Sequence, residues 1–227
     1  MAERPAAAHS DIVVGVASYN DAATIGVVLR GARSALDQHP GADAASIVLA
    51  DGGSTDSTIE RARTELADAS GFETIHFDRP KVDPLRMPYH GRPGRAAAIR
   101  AVFRAARARH AKVCVMLDAG LMHLPPGWID LLVEPVLAGD VDYVSAHYER
   151  RPYEGAITKS IIYPVFRVLY GVRLRQPAAP EFGCSAALMD HYLEQDFWDA
   201  EEAYAGIDLW LAASAASAGH RIGEAML

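Results

Sequence analysis

Four short segments of this sequence hold acids, glycines and a cation in arrangements that can grip a ligand. The first two are Ser18-Tyr19-Asn20-Asp21 and Asp51-Gly52-Gly53-Ser54-Thr55-Asp56, each placed where an apolar run stops. A carboxylate such as Asp51 at that position can accept hydrogen bonds from a ligand's N–H or hydroxyl groups, while the glycines let the backbone come close. Alone, the second segment also reads as an ordinary Asp-Gly turn with a helix cap. The third, Pro93-Gly94-Arg95-Ala96-Ala97-Ala98, opens a helical pattern. A helix N-terminus presents unpaired N–H groups and a positive dipole end, and a forked arginine strengthens the resulting anion site. The fourth is Asp118-Ala119-Gly120, which closes the apolar run Val113 to Leu117.

The elements that must position these segments follow from periodicity. Ile12–Ala17, Ser46–Ala50, Phe72–Asp78 and Lys112–Leu117 read as strands, and they alternate with helical patterns over Ala22–Leu36, Thr55–Ala69 and Arg95–Ala111. That alternation predicts an α/β fold with a mainly parallel sheet, whose ligands gather at the carboxyl ends of the strands. Arg79 to Gly94 contains four prolines and two glycines and must be a long loop. In the second half, Pro126–Leu137 reads as a helix and Asp142–Tyr148 as a strand. Gly155–Tyr170 reads as a helix kinked at Pro164, Gln176–Leu188 as a Pro/Gly-rich stretch, Gly206–Ala218 as a helix and Arg221–Leu227 as a strand beginning. The chain stops in mid-pattern, so a truncated C-terminus is expected.

Half of the 227 residues are apolar, enough for one sizeable core, and no composition break divides it. The expected organisation is a disordered segment over residues 1–10 and one domain over 11–227. The formal charge of −7 offers no surface suited to a nucleic-acid backbone. Cys114 and Cys184 lack metal-ligand spacing and read as buried thiols. No segment reaches the length of a membrane span or has the make-up of a signal peptide, so a cytoplasmic location is expected. The apolar, aromatic segment Ile161–Leu174 carries Arg167 and Arg173; it reads as a buried helix or as a surface for a lipid or a partner, a second copy included.

The two loops 18–21 and 51–56, in that order, resemble the donor-nucleotide site of family 2 glycosyltransferases of the GT-A fold. The resemblance implies that Ala17, Tyr19, Asp21 and Asp51 bind the base or ribose of a UDP- or GDP-linked sugar. Gly94 and Arg95 stand where these enzymes hold the diphosphate, Arg95 replacing the usual lysine. Val113–Gly120 resembles the strand ending in Asp-x-Asp, which implies Asp118 as a ligand for Mg or Mn; here the second acid is Gly120. His123 is a nearby candidate for a substitute ligand. The second half resembles the enzymes that transfer a sugar to glycerate or phosphoglycerate. It does so through His147-Tyr148-Glu149-Arg150-Arg151-Pro152, Gln176-Pro177 with Glu181, and Gly206-Ile207-Asp208.

On this resemblance the nucleotide-binding half is about 11–120 and the acceptor half about 121–227. Arg150, Arg151 and Asp208 contact a small hydroxylated acceptor; Asp208 or Glu181 is the candidate base if the chemistry is inverting, and no enzyme base need exist if it is retaining, as in the glycerate-type relatives. A sugar-phosphate nucleotidyltransferase would want a Gly-rich loop after the first strand in place of 18–21. Gly120 and the early C-terminus favour the other alternative, a non-catalytic nucleotide-sugar-binding or assembly module.

Overall fold

The computed structural model describes residues 9–41, 44–67, 69, 71–77, 94–125, 127–149, 151, 154–200 and 203–227. The expected disordered segment up to residue 8, the long loop as far as residue 93, and Arg150 lie outside the described residues.

The first half follows the strand–helix alternation. It runs β1 (Ile12–Ser18), α1 (Ile25–Gln38), β2 (Ala45–Asp51), α2 (Thr58–Glu65), β3 (Phe72–His76), α3 (Arg95–Ala108) and β4 (Val113–Asp118). Then come α4 (Trp128–Leu137), β5 (Tyr143–His147), a π-helical turn (Thr158–Ile162) running into α5 (Tyr163–Tyr170), β6 (Phe182–Ser185) and α6 (Ala186–Leu193). A 3-10 turn (Asp196–Asp199), α7 (Ala203–Ser217) and β7 (Ile222–Met226) complete the chain. All seven strands form one sheet in the order β3-β2-β1-β4-β6-β5-β7. Every pairing is parallel except those of β6, which runs antiparallel to both β4 and β5.

Two apolar layers cover the sheet, and the period of two along β1 divides its side chains between them. Val13 and Ala17 pack in the layer with α3, α6 and α7; Ile12, Val14 and Val16 pack in the layer with α1 and α4. A strand buried on both faces reads as a continuous apolar run, which is why β1 and β4 stand out in the sequence. Pro164 lies at the junction of the π-turn and α5, where the missing N–H of proline is tolerated.

Two elements depart from expectation. Gln176–Leu188, which reads as a Pro/Gly-rich stretch with no element assigned, contains β6 and the start of α6. β6 is only Phe-Gly-Cys-Ser, too short for a period to show. Its glycine is required by packing, since a Cβ on Gly183 would lie 2.3 Å from the backbone oxygen of Leu132 in α4. The antiparallel register sets Cys184 opposite Cys114, and both are buried free thiols, as expected. It also carries Glu181, just before β6, to the carboxyl end of β4, because Phe182 pairs with Met116.

Candidate functional site

The sheet order reverses direction between β1 and β4, the place where an open α/β sheet forms a crevice beyond its strand ends. A small cleft lies there. Ala17, Ser18 and Tyr19 from the end of β1, Asp118 from the end of β4, Gly94 and Arg95 from the start of α3, and Phe77 after β3 line it. Five residues expected to hold a donor, Ala17, Tyr19, Gly94, Arg95 and Asp118, therefore share one cleft. Gly94 takes a φ of 95°, open to glycine at little cost, and this lets the chain turn sharply into α3 beside the cleft.

The two polar loops are stitched together on the rim. Asn20, at φ 56°, accepts from the Thr55 N–H at 2.8 Å through Oδ1, and its own N–H donates to Ser54 Oγ at 2.9 Å. Asp21 Oδ2 accepts from the Tyr19 N–H at 3.0 Å, so it shapes the loop and is itself buried. Asp51, expected to meet the base or ribose of a ligand, is engaged within its own turn. It is 1% exposed, Oδ1 accepts from the hydroxyls of Ser18 (3.1 Å) and Ser54 (2.5 Å), and Oδ2 accepts from the N–H groups of Gly53 and Ser54 (both 2.9 Å). Four donors fill the acceptor positions of one carboxylate. Asp51 thus fixes the turn that shapes the rim.

Arg95 links the cleft to the second half of the chain. Its side chain is 9% exposed. Nε donates to both oxygens of Asp208 (2.9 and 3.0 Å), Nη2 donates to the Pro180 carbonyl at 2.5 Å, and Nη1 faces Asp118 Oδ2 at 3.7 Å. Asp208 lies on α7 and Asp118 on β4, so one guanidinium ties α3, α7 and the approach to β6 together. Burial pushes the Asp208 carboxyl above its ordinary range, and the Arg95 charge opposes that shift. Glu181 is 1% exposed; burial raises its pKa too, against the hydrogen bond from the Tyr148 hydroxyl to Oε2. The Asp118 backbone N–H also acts on this carboxylate to lower its pKa, and among the described residues no other hydrogen-bond partner reaches the buried Oε1.

On the far side of Tyr148 a cavity of about 590 Å³ opens between the end of β5, the π-turn and the end of β7. Sequence reasoning missed this grouping. Lys159, Arg175 and His147 supply cationic or titratable groups to its wall, Tyr148 and Tyr163 supply hydroxyls, and Gln176 is held by its Nε2 donating to the Tyr148 carbonyl at 2.9 Å. Gln176 Oε1 has no partner among the described residues. Arg151, expected to bind an acceptor, is exposed and does not line the cavity; its carbonyl accepts from Lys159 Nζ at 3.1 Å.

The family model for glycosyl transferase family 2 matches residues 13–197. The chain belongs to that family. Solved structures with the fold of this family 2 glycosyltransferase include glucosyl-3-phosphoglycerate synthase from Mycobacterium tuberculosis in complex with Mg2+ and uridine diphosphate. That match has 22% identity and a TM-score of 0.67, and covers 96% of this chain and 69% of that one. The same enzyme with Mn2+, uridine diphosphate and phosphoglyceric acid matches at 21% identity and a TM-score of 0.66, covering 96% and 68%. A mycobacterial protein matches at 24% identity and a TM-score of 0.68, covering 96% and 66%. No curated protein matches this sequence.

The residues present decide how far a divalent ion suits this family 2 member. Asp118 Oδ1 accepts from the Gly120 N–H at 2.7 Å, and position 120 offers no side chain. His123 is exposed, and among the described residues no three His, Cys, Asp or Glu side chains converge on a metal-sized site. Among the described residues one carboxylate, that of Asp118, lines the cleft. That fits Mg or Mn held jointly with ligand phosphates and water, the usual arrangement for such ions, and does not fit an all-protein cage.

Proposed function

We propose that this glycosyltransferase moves a hexose from a nucleoside-diphosphate sugar to a small, hydroxylated, anionic acceptor of the glycerate type. The observation that carries the reading is the run of contacts from the strand-end cleft, through Arg95 to the Pro180 carbonyl and from the next residue, Glu181, to Tyr148, whose far side lines a cavity holding Lys159, Arg175 and one acid, Glu149. The nucleoside lies against Ala17, Tyr19 and Phe77 in the half of the chain up to about residue 120. The diphosphate lies at the start of α3, where Gly94 keeps the backbone open and Arg95 Nη1 faces the cleft. A divalent ion, when bound, supplies positive charge against the departing diphosphate, and Asp118 is the residue that would hold it.

The acceptor half, from about residue 121, contributes the second substrate. Lys159 and Arg175 receive the acceptor's anionic group, with the Thr158, Tyr148 and Tyr163 hydroxyls beside it. This assigns to Lys159 and Arg175 the role expected of Arg150 and Arg151. If the transfer is inverting, Glu181 suits proton transfer better than Asp208: burial raises its affinity for a proton, and among the described residues only Oε2 takes a side-chain hydrogen bond. Both Asp208 oxygens already accept from Arg95, which makes Asp208 a positioning residue for the guanidinium.

The test is release of UDP or GDP from UDP- or GDP-hexoses with glycerate and 3-phosphoglycerate as acceptors. Acceptor-dependent release that falls in Glu181→Gln and needs a higher acceptor concentration in Lys159→Ala supports the proposal. A second reading, nucleotide-sugar binding without turnover, draws on Gly120, which removes a carboxylate from the cleft. Donor binding with no release by the wild type, restored by Gly120→Asp, would favour it.

A further inference from the structure

The outward face of the π-turn and α5 is apolar where a surface helix should be polar. Ile157 is 68% exposed, Ile161 58%, Val165 50%, Val168 83% and Leu169 67%. At helical spacing these residues share one side, while Phe166 is buried on the other and Thr158, Lys159 and Tyr163 line the cavity. A helix that is apolar on both its inner and outer faces belongs in a core or against an apolar medium.

Charge selects the medium. Residues 155–175 contain Lys159, Arg167, Arg173 and Arg175 and no acid, Glu154 standing just before them, in a chain whose formal charge is −7. Arg167 and Arg173 are exposed and lie outside the cavity, whereas Lys159 and Arg175 line it and Arg175 Nε faces Glu224 at 3.8 Å. An apolar stripe flanked by cations matches an anionic bilayer surface, with the stripe in the acyl boundary and the cations among the headgroups. A two-fold dimer through the same patch would set Arg167 and Arg173 against their own copies. We propose that this face docks the protein on anionic membranes, as a peripheral contact. Among the described residues no helix is long and apolar enough to cross a membrane. The cavity described above then opens beside the lipid surface.

Flotation or co-sedimentation with vesicles of phosphatidylcholine, with and without phosphatidylserine, tests the inference on the full chain. The expected result is association that requires phosphatidylserine and weakens as salt is raised. Arg167→Gln and Arg173→Gln should each weaken it about five-fold, the equivalent of roughly 1 kcal/mol per cation near the surface. Val165→Ser/Val168→Asp should abolish it and leave nucleotide binding and the circular-dichroism spectrum unchanged. Absence of association by the wild type, or association indifferent to phosphatidylserine, would overturn the proposal. So would light scattering that shows a dimer which the apolar double variant turns into a monomer.

Discussion

Replacing Asp208 with asparagine preserves the size of the side chain and removes the charge that Arg95 depends on. The guanidinium is 9% exposed and donates through Nε to both oxygens of Asp208. Breaking a buried ion pair from one side costs roughly 3–5 kcal/mol, because the remaining charge stays buried without its partner. Two features pull the cost to the lower end: the Asp208 side chain is 23% exposed, and Arg95 retains the Pro180 carbonyl and Asp118 at 3.7 Å. The expected loss is therefore about 3 kcal/mol, or about 6–12 °C in Tm for a domain of this size. Urea unfolding of wild type and Asp208→Asn, with an unchanged denaturant slope, measures it directly. The paired change Arg95→Met/Asp208→Leu should recover most of the loss, since it leaves neither charge behind. A loss below about 1 kcal/mol, the worth of a solvent-exposed pair, would refute the claim that Arg95 is held by a buried network.

Other consequences are equally specific. Glu181 has a folded-state pKa raised above its ordinary value of 4.5 by burial, so the stability linked to its proton is complete below 4.5 and is lost as pH rises through the raised value. Thermal scans should accordingly show Glu181→Gln gaining on wild type from acid to neutral pH; a difference that stays constant across that window would contradict it. Lys159→Ala and Arg175→Gln should each raise the acceptor KM about ten- to a hundred-fold while leaving donor affinity unchanged, the effect of losing one charged hydrogen bond. Equal effects on donor and acceptor would argue against the cavity as the acceptor site. Gly120→Asp should strengthen Mn binding in the presence of UDP, because it adds a second carboxylate beside Asp118, and the manganese paramagnetic signal reads this without turnover.

The sequence made much of the first half legible, since strands buried on both faces leave long apolar runs and their ends carry the polar loops. Ala17, Tyr19, Gly94, Arg95 and Asp118 meet in one cleft for that reason. Asp51 shows the limit: Asp-Gly-Gly-Ser can serve a ligand or close on itself, and only the geometry reveals four internal donors on its carboxylate. The second half was harder to read because its order depends on β6, four residues with no period of their own. Without that antiparallel strand nothing in the spacing brings Glu181 beside Asp118, or tells that Arg95 will pair with Asp208. Lys159 and Arg175 carry no motif of their own, and only the fold of the π-turn and the segment after α5 sets both in the wall of one cavity.

The most direct test of the donor site is titration calorimetry of UDP-glucose and GDP-mannose, with and without Mn, on wild type and on Asp118→Asn. The account predicts binding of at least one nucleotide sugar that Mn strengthens in the wild type and leaves unchanged in Asp118→Asn. Failure of both nucleotide sugars to bind the wild type, or strengthening by Mn that persists in Asp118→Asn, would contradict it.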